Sequence, residues 1–497
     1  MQRKQLTLVI VSLLVVVLSV SLAWFTTQII GKGKDVSVTS ANLQIVFTDS
    51  DGALTETDIE PGWSATKTFT IKNDTKTEYK YNIVIKDLLN TFVTEGYLQY
   101  KITSTNDGYN MTEFKDIPKS SAPKDTILAY SVVIPNGVTQ SYTIEFKYTN
   151  DESVDQSDDM GKKLSGTLFI TEGTEDPNKT LLTQLLVDKS TKLTRTDFSK
   201  VLTTDNTNTL YTSTEDSKTV YYFAGNATDN WVKFGKNASS QDLYWRIIRT
   251  NSDGGVRLLY HGTSTTATDA YIETSAFNSS YNNIAYVSYM YGSTGSIPNA
   301  RTNQTNSSTI KGVIDTWYAK NMTSYTKYLS TTAVYCNDRT YTVSDSTYFG
   351  AYTRLADNKT PSYDCSATED KFTVDTSTGN GKLTYPIALM TADEVSFAGG
   401  LAGTNAPTWY NYNSANGSST GSTQWWLLSP SYWSSSYACV FSVYGSSHPG
   451  FLVVDFVYDT HGVRPAVSLK SCIKYSTGNG SASDPYTIKE TTSTSGC

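Results

Sequence analysis

The sequence has little of what metal and thiol enzymes are built from. Its 497 residues include only three His and five Cys, and neither a C-x-x-C nor an H-x-x-x-H pair occurs. Redox dithiol motifs and zinc ribbons need the first spacing, and many zinc enzymes need the second. His261, His448 and His461 lie on separate segments with no partners in a triad arrangement. We therefore predict no catalytic residue, no metal site and no cofactor.

Charge is also scarce, and the composition excludes nucleic-acid-binding proteins and disordered chains. Charged residues make up 18% of the chain, against ~25% in average proteins. The net charge of −7 and the lack of a basic run exclude a nucleic-acid footprint. The 12% aromatic content, with 35 Tyr, excludes a disordered chain. A polar but weakly charged surface is typical of exported β-rich proteins.

One long apolar run is present, at the amino terminus. Residues 6–25 follow Arg3 and Lys4 and are interrupted only by Thr7 and three serines. At about 1.5 Å per helical residue this run reaches ~30 Å, enough to cross a bilayer. The preceding basic residues favour a cytoplasmic start and export of the rest. We predict a hydrophobic helix over residues 1–28, either a signal peptide cleaved after residues 21–23 or an uncleaved membrane anchor.

Residues 35–172 have the pattern of short antiparallel strands. Apolar and polar side chains alternate over residues 79–86 and 142–148, as in strands with one buried face. Pro- and Gly-containing turns at residues 61–62 and 135–137 separate such runs. About seven or eight strands in this length predict an all-β sandwich.

The pattern changes after this segment. Residues 173–218 are rich in Thr, Asn and Asp around one apolar group with helical spacing, residues 181–186, and predict a linker with a short helix. Residues 219–470 mix strand and helix patterns and predict an α+β domain. Residues 471–497 are predicted to be a carboxyl-terminal tail.

Two helices are predicted inside the α+β domain. Ser308 can cap a helix with apolar residues at positions 310, 313, 314 and 317. Thr391 can cap another over residues 392–398, ended by Gly399. Residues 417–421 match the G-x-S-x-G nucleophile elbow, but Asn, Ser and Gly flank them. That motif needs a strand before it and a helix after it, so a flexible loop is predicted instead.

The cysteines suit an oxidising compartment. Cys336 and Cys365 bracket a polar loop, and we predict a disulfide between them. Cys472 and Cys497 could pair in the tail, which leaves Cys439 over. The pairing of these last three stays open, because an odd count has no single solution from sequence.

Residues 425–469 have the most unusual composition of the chain. The blocks WWLLSP and GVRPAVSL enclose a stretch dominated by Ser and Tyr, and no Asn occurs between Asn416 and Asn479. Tyr supplies a large contact area at little entropy cost, and Ser supplies adaptable hydrogen bonds, as in antibody paratopes. The composition indicates a recognition surface.

Residues 22–90 carry the motifs LAWFT and DIEPGWSATKTFTIKN. This segment resembles the amino-terminal region of the camelysin-like biofilm-fibre and spore-coat proteins of Gram-positive bacteria. The resemblance implies an exported β-sandwich. It also raises an alternative function, a structural matrix or fibre subunit.

Residues 219–469 carry a second set of motifs, which includes DLYWRIIRTNSDGGVRLLYHG, YCNDRT, AYTRL, GNGKLTYPIALMTADEVSFAGG, WWLLSP, ACVF and GVRPAVSL. This region resembles the bacterial C-type-lectin-fold proteins. The group includes the variable proteins of diversity-generating retroelements and relatives of the formylglycine-generating enzyme. The resemblance implies a C-type lectin fold for the α+β domain.

For the variable proteins, the resemblance implies that mutagenesis of template adenines converts Asn codons into many others, which would empty this window of Asn. Trp433, Val440, Phe441, Val443 and Val457 would be scaffold. Compositional drift in a non-diversified relative is the alternative. The implied ligand-binding positions are Ser431, Tyr432, Ser434, Ser435, Ser436, Ser442, Tyr444, Ser446, Ser447, His448, Val453, Val454, Asp455, Phe456, Tyr458, Asp459, Thr460 and His461.

Two departures narrow the function. The E-P-N, Q-P-D and W-N-D tripeptides of calcium-dependent sugar-binding lectins are absent. The formylglycine-generating branch uses a pair of active-site cysteines, and Cys439 has no partner in its segment, so an oxidase of that type is the least favoured reading. We expect an exported, cell-surface ligand-binding protein without enzyme activity. Its partner would be a protein or another surface ligand, and the chain would meet a membrane only through an uncleaved amino-terminal helix.

Overall fold

The computed structural model divides the chain into two compact units, Met1–Pro177 and Asn178–Cys497. It describes residues 36–40, 43–49, 54–56, 60–174, 176–267, 270–343, 347–411, 424–445 and 448–494. The predicted helix at 1–28, the loop at 417–421 and Cys497 lie outside these residues. Within them, no helix combines the length and apolarity needed to cross a bilayer. Strands outweigh helices in both units.

The first unit consists of antiparallel strands in two sheets. The sheets have the orders β1-β2-β4-β9-β6-β7 and β3-β10-β5-β8. The strands are β1 Val36–Ser40, β2 Leu43–Asp49, β3 Leu54–Glu56, β4 Ser64–Asn73, β5 Tyr79–Asn90, β6 Leu98–Ser104, β7 Lys115–Asp116, β8 Ser120–Ile134, β9 Thr139–Tyr148 and β10 Leu164–Glu172.

One apolar core lies between these two sheets. Every second residue of β9 is buried from Gln140 to Tyr148, as the alternation predicted. Ile144 on β9 belongs to the same buried cluster as Ile83 on β5 and Leu168 on β10. The two sheets therefore bury their apolar faces against each other.

Asn82 on β5 departs from the predicted alternation. It is 1% exposed, although its position in the pattern predicts the solvent side. Its amide donates to the carbonyl of Glu172 at 2.9 Å, and its Oδ1 accepts from the backbone N–H groups of Ser131 and Thr174 at 2.9 and 3.0 Å. A buried amide persists when its hydrogen-bonding groups are satisfied, so Asn82 ties strands β8 and β10 to β5.

The second unit is built on two larger sheets. One contains β11 to β16, β24 and β30 to β32, and the other contains β17, β21, β22 and β25 to β29. The strands are β11 Thr191–Thr194, β12 Thr209–Glu215, β13 Lys218–Tyr222, β14 Trp231–Lys236, β15 Asp242–Thr250, β16 Val256–Gly262, β17 Thr274–Ser275, β18 Met290–Tyr291, β19 Asn306–Ser307, β20 Tyr335–Cys336, β21 Tyr341–Val343, β22 Thr347–Phe349, β23 Lys371–Phe372, β24 Ile387–Leu389, β25 Leu401–Ala402, β26 Trp425–Trp433, β27 Ala438–Val443, β28 Phe451–Phe456, β29 His461–Gly462, β30 Pro465–Leu469, β31 Tyr475–Thr477 and β32 Tyr486–Ile488.

The helices of the second unit are short. Ser308 caps α3 and Thr391 caps α5, as predicted, and Gly399 ends α5 with a φ of 116° that suits glycine. The helices are α1 Leu181–Asp188, α2 Ile297–Arg301, α3 Thr309–Asn321, α4 Gly350–Tyr352 and α5 Ala392–Ala398, with single turns of tighter or wider helix at Ser157–Asp159, Ile284–Val287, Thr323–Tyr328, Thr353–Asn358 and Thr368–Asp370.

The segments predicted as linker and tail are part of the second unit. Leu181 and Leu185 of α1 are buried in its core, and β11 pairs with β12. At the other end of the chain, β32 pairs in parallel with β14. Residues 178–218 contain the predicted short helix as α1, and both they and residues 471–494 contribute strands to the second unit. Short apolar groups between polar residues gave little sequence signal, yet they complete the sheet and its core.

A buried ionic network joins α5 to the first of these sheets. Glu394 on α5 accepts from Arg249 on β15 and Arg257 on β16, both at 2.8 Å. Glu215 accepts from Arg249 at 2.8 Å as well. Arg249, Arg257 and Glu394 are at most 3% exposed. Buried charges of this kind are tolerated only when paired and hydrogen-bonded.

The same helix is attached to the second sheet. The Glu394 side chain also accepts from the backbone N–H of Thr391 at 3.0 Å, while the Thr391 hydroxyl accepts from the N–H of Glu394 at 3.1 Å, a capping box. Ser429 on β26 accepts from the N–H of Ala392 at 2.9 Å. One helix terminus therefore connects both sheets.

We predict that Glu394→Gln lowers the melting temperature by about 10 °C at pH 7. The change leaves two buried arginines short of a carboxylate, a loss of about 3–5 kcal/mol. Burial by itself raises the pKa of Glu394, but Arg257 and Arg249 outweigh it and the net pKa is lowered. The native chain should therefore lose this stability as the pH falls below 4.5, the ordinary value.

Calorimetry at pH 7 and at pH 3 measures both effects. Between pH 7 and pH 3 the melting temperature of Glu394→Gln should fall less than that of the native chain. Asp484→Asn, at an exposed carboxylate in the same unit, serves as the control and should melt like the native chain. A native melting temperature for Glu394→Gln at pH 7 would show that the network is dispensable.

Candidate functional site

The Ser- and Tyr-rich window forms three neighbouring strands of one sheet. Strands β26, β27 and β28 lie side by side, and β27 pairs antiparallel with both neighbours. Trp425 and Trp426 at the start of β26 are buried, and the indole N–H of Trp426 donates to the Ser275 carbonyl at 2.8 Å. The block WWLLSP is therefore a fixed support for the strands that follow.

The strand register divides the predicted positions between two sides of this sheet. Tyr432, Cys439 and Phe456 are partners across the three strands, so their side chains share one side. Val440 pairs with Asp455, one residue along, and this pair faces the other side. The predicted positions therefore belong to two surfaces, one on each side of the sheet, and not to a single face.

Most of the predicted positions are at least partly exposed. This holds for Tyr432, Ser434, Ser435, Ser436, Tyr444, His448, Val453, Val454, Asp455, Phe456, Tyr458, Asp459, Thr460 and His461. Ser446 and Ser447 lie outside the described residues. Ser431 and Ser442 are corrected, because both are 0% exposed. Ser442 pairs with Trp426 and Val453, and its hydroxyl donates to Asp455, so it supports the sheet rather than contacting a ligand.

The positions predicted as scaffold lie mainly in the interior. Val440, Phe441, Val443 and Val457 are at most 1% exposed, while Trp433 is half-buried. β27 is buried along its whole length, whereas β28 is largely part-exposed, so buried and exposed positions of the window lie on neighbouring strands.

Seven aromatic rings gather on the side of the sheet that carries Tyr432 and Phe456. Tyr437 stacks on Tyr281 at 5.4 Å between ring centroids, and Phe456 stacks on Tyr458 at 5.6 Å. Tyr437 and Phe456 are 5.0 Å apart, which joins the two stacks. A second group of rings on the same side joins Tyr432 to Tyr348 at 6.1 Å and Tyr348 to Tyr352 at 4.7 Å. We call this set the aromatic face; it comprises Tyr281, Tyr348, Tyr352, Tyr432, Tyr437, Phe456 and Tyr458.

A tight turn presents Tyr437 to solvent. The hydroxyl of Ser434 accepts from the N–H of Tyr437 at 3.0 Å, and Ser435 adopts a φ of 69°, in the left-handed region that hairpin turns use. Tyr281, Tyr437 and Tyr458 remain 40%, 39% and 39% exposed. Ring–ring contacts hold these side chains in place while their edges stay accessible.

Sequence reasoning missed four members of the aromatic face. Tyr281, Tyr348 and Tyr352 lie outside the window, and Tyr437 was inside it but not among the predicted positions. Tyr348 reaches the face because β22 pairs with β26 at Tyr432. Hydrogen bonds from the N–H of Ala438 to the carbonyl of Tyr281 and from the N–H of Asn278 to the carbonyl of Val457, both at 2.9 Å, bring that loop alongside. Neither pairing has a sequence signal.

Tyr444 and His448 form a separate group. Their ring centroids are 5.4 Å apart, and both lie against Phe451 at 5.4 and 5.9 Å. This group occupies the β27–β28 connection, whereas Tyr437 and Tyr458 lie at the opposite ends of those strands. Tyr444 and His448 are therefore not part of the aromatic face.

Two acidic groups lie beside a histidine around the turn from β28 to β29. Asp455, Asp459 and His461 each place one possible ligand atom within 4.8 Å of the others. Burial and the Asp455 charge raise the pKa of Asp459, against the opposing effect of His461. We call these three residues the acid–histidine cluster.

Cys439 is the one free cysteine among the described residues, and it is buried. Burial raises the pKa of its thiol from 9.0 to about 12, although a hydrogen bond with Tyr432 opposes the shift. A thiol acts as a nucleophile only as the thiolate. The environment of Cys439 therefore suits packing beneath the aromatic face rather than catalysis.

Cys336 and Cys365, the pair predicted from the sequence, are joined by a disulfide with 5.8 Å between their Cα atoms. Cys472 is also in a disulfide; Cys497, with which the sequence analysis left a pairing open, lies outside the described residues. The bridge between Cys336 and Cys365 spans the segment that contains β21, β22 and α4.

Comparisons with known proteins add little. No protein-family model matches the chain, and no curated protein matches it. Among solved structures, a crystal structure of a ruminal GH26 endo-beta-1,4-mannanase is similar over 29% of this chain and 31% of that chain. The identity is 12% and the TM-score is 0.14, so this likeness carries no argument about fold or function.

We predict that Cys439 resists alkylation in the folded protein. The raised pKa implies a roughly thousandfold smaller thiolate fraction than that of an ordinary thiol near pH 8. Iodoacetamide labelling followed by mass spectrometry measures this. The same chain unfolded in guanidinium is the control and should label at the ordinary rate, while rapid labelling of the native chain would contradict the prediction.

Proposed function

We propose that the chain is an exported cell-surface protein that binds a protein or another surface ligand through the aromatic face. The observation that carries this proposal is the grouping of exposed rings. Tyr281, Tyr437 and Tyr458 are three of the ten large apolar or aromatic side chains left exposed in the described residues, and they contact one another. Exposed apolar side chains that form one patch mark interaction sites, whereas singly scattered ones are normal on a protein surface.

The chemistry of the face supports protein recognition. Tyr combines a large apolar area with a hydroxyl and has few rotamers to immobilise, so it is enriched among binding hot spots. Ser434, Ser435 and Ser436 border Tyr437 and are partly or fully exposed, which gives the rings an uncharged polar rim. The rings are already in contact before a ligand arrives, which lowers the entropic cost of binding.

The two units have distinct roles in this proposal. The first would be a β-sandwich stalk, supported by two antiparallel sheets that share one core. The second would have a C-type lectin fold, supported by the motifs of residues 219–469 and by helices α3 and α5 among many short strands. Export is supported by the apolar run at residues 6–25 and by the disulfide between Cys336 and Cys365.

A binding role also suits the reactive side chains of the second unit. Cys439 has a raised pKa, which disfavours the formylglycine-type oxidase. His261 is buried and His448 is exposed on the β27–β28 connection, so these two do not combine into a catalytic group. We propose that the protein acts by contact rather than by catalysis.

The fibre-subunit alternative depends on edge-to-edge association of the first unit. Strand β8 is the outer strand of its sheet and contains 15 residues. Its first half is exposed and includes Pro123, Lys124 and Asp125, residue types that block strand addition at sheet edges. This edge therefore favours the binding role over polymerisation.

We predict that peptides selected on the protein bind the aromatic face. A random 12-residue phage-display library, panned on the immobilised full chain, supplies the probes. Their affinities should fall at least 30-fold in Tyr437→Ala/Tyr458→Ala, since truncation of a hot-spot aromatic costs about 2 kcal/mol or more.

The matched control is Tyr341→Ala, because Tyr341 is equally exposed at 40% but contacts Phe349 outside the aromatic face. Circular dichroism verifies that all variants fold. If the double variant retained the native affinity for every selected peptide, the aromatic face would not be the binding site.

A second prediction concerns diversification. The exposed positions of the window are proposed to be targets of retroelement mutagenesis, and buried Val440, Phe441, Val443 and Val457 to be spared. Sequencing the surrounding DNA should reveal a reverse-transcriptase gene and a near-copy of the segment that encodes residues 425–469, with differences at adenines. A genome that lacks both would rule diversification out and leave the binding role standing.

A further inference from the structure

We propose that the acid–histidine cluster, Asp455, Asp459 and His461, binds one divalent cation of the Zn²⁺ class. The sequence predicted no metal site, because His and Cys are few and no C-x-x-C or H-x-x-x-H pair occurs. Their proximity comes from the turn between β28 and β29. Asp455 is near the end of β28, Asp459 is in the turn and His461 begins β29.

The separation of the ligand atoms suits a single ion. All three lie within 4.8 Å of one another. Zinc bonds to nitrogen and oxygen of about 2 Å place neighbouring ligand atoms about 3–4 Å apart. An inward shift of about 1 Å, within the reach of the Asp459 side chain on its turn, would close that difference.

The imidazole gives an independent indication of a missing partner. His461 Nε2 has no accessible surface and makes no hydrogen bond. It lies 3.4 Å from Asp455 Oδ2, but without hydrogen-bond alignment. The side chain is 12% exposed, and its ring lies 4.5 Å from that of Trp426. A buried ring nitrogen normally has a partner, and a cation between the carboxylates would supply one.

Neighbouring side chains orient the ligands, and no Lys or Arg in the described part of the chain neutralises the two carboxylates. Gln424 donates to Asp455 Oδ2 at 3.1 Å, and the fully buried Ser442 donates its hydroxyl to the same oxygen. Such outer hydrogen bonds fix the ligands of metal sites. Among the described residues, no Lys or Arg forms an ion pair with Asp455 or Asp459. Two carboxylates with no Lys or Arg partner, beside one imidazole, favour a bound cation.

The ligand types select the class of metal. Calcium and magnesium prefer six or more oxygens, whereas an imidazole with one or two carboxylates suits zinc and similar transition ions. Three protein ligands leave a coordination position for water, as in open zinc sites. The proposal does not depend on the proposed function, because none of its three ligands is a ring of the aromatic face.

Zinc titration of the chelator-treated full chain tests the proposal. Calorimetry should detect one equivalent bound with a Kd of about 10 μM or tighter, and Zn²⁺ should raise the melting temperature. Asp459→Asn and His461→Gln should each weaken binding at least tenfold. Asp484→Asn removes an exposed carboxylate elsewhere in the same unit and should bind zinc like the native chain. Circular dichroism checks the fold of each variant.

Three results would overturn the proposal. The first is native stoichiometry and affinity in a folded Asp459→Asn variant. The second is an absence of zinc binding up to about 1 mM, or saturable binding of Ca²⁺ in its place. The third is loss of binding in His448→Gln with Asp459→Asn unaffected, which would assign the zinc to an exposed surface histidine. None of these outcomes bears on peptide binding by the aromatic face.

Discussion

The buried carboxylate of Glu394 is the interaction on which the second unit most depends. It neutralises arginines from two strands of one sheet and completes the amino-terminal cap of α5. The first residue of α5, Ala392, is hydrogen-bonded to β26. Charges in an apolar interior demand defined partners. The position of β26, which carries Tyr432 and leads into the turn at Tyr437, is therefore tied to this ionic contact and to the tryptophans beside it.

Strands β26, β27 and β28 carry both of the candidate sites. Three short strands carry rings on one side and an acidic group on the other, with valines and Phe441 buried between them. Because side chains alternate along a strand, one segment of sequence serves both surfaces at once. The aromatic face suits contact with a partner, and the acid–histidine cluster suits a cation.

Local features of the fold were predictable from the sequence, and long-range ones were not. Caps and apolar spacing identified α3 and α5, and alternation identified the buried side of β9, because these signals lie within a few residues. Asn82 broke the alternation because its hydrogen-bond partners come from two other strands. The carboxyl-terminal segment looked like a tail because β32 finds its partner, β14, about 250 residues earlier in the chain.

The candidate site shows the same division. Composition alone predicted residues 425–469 as the contact segment that we propose, since the excess of Ser and Tyr and the loss of Asn are properties of the chain itself. The register of β26, β27 and β28 then decided which side each residue faces, and so buried Ser431 and Ser442. Only tertiary packing brought Tyr281, Tyr348 and Tyr352 to the aromatic face, because strand pairing and loop contacts join residues that the sequence keeps far apart.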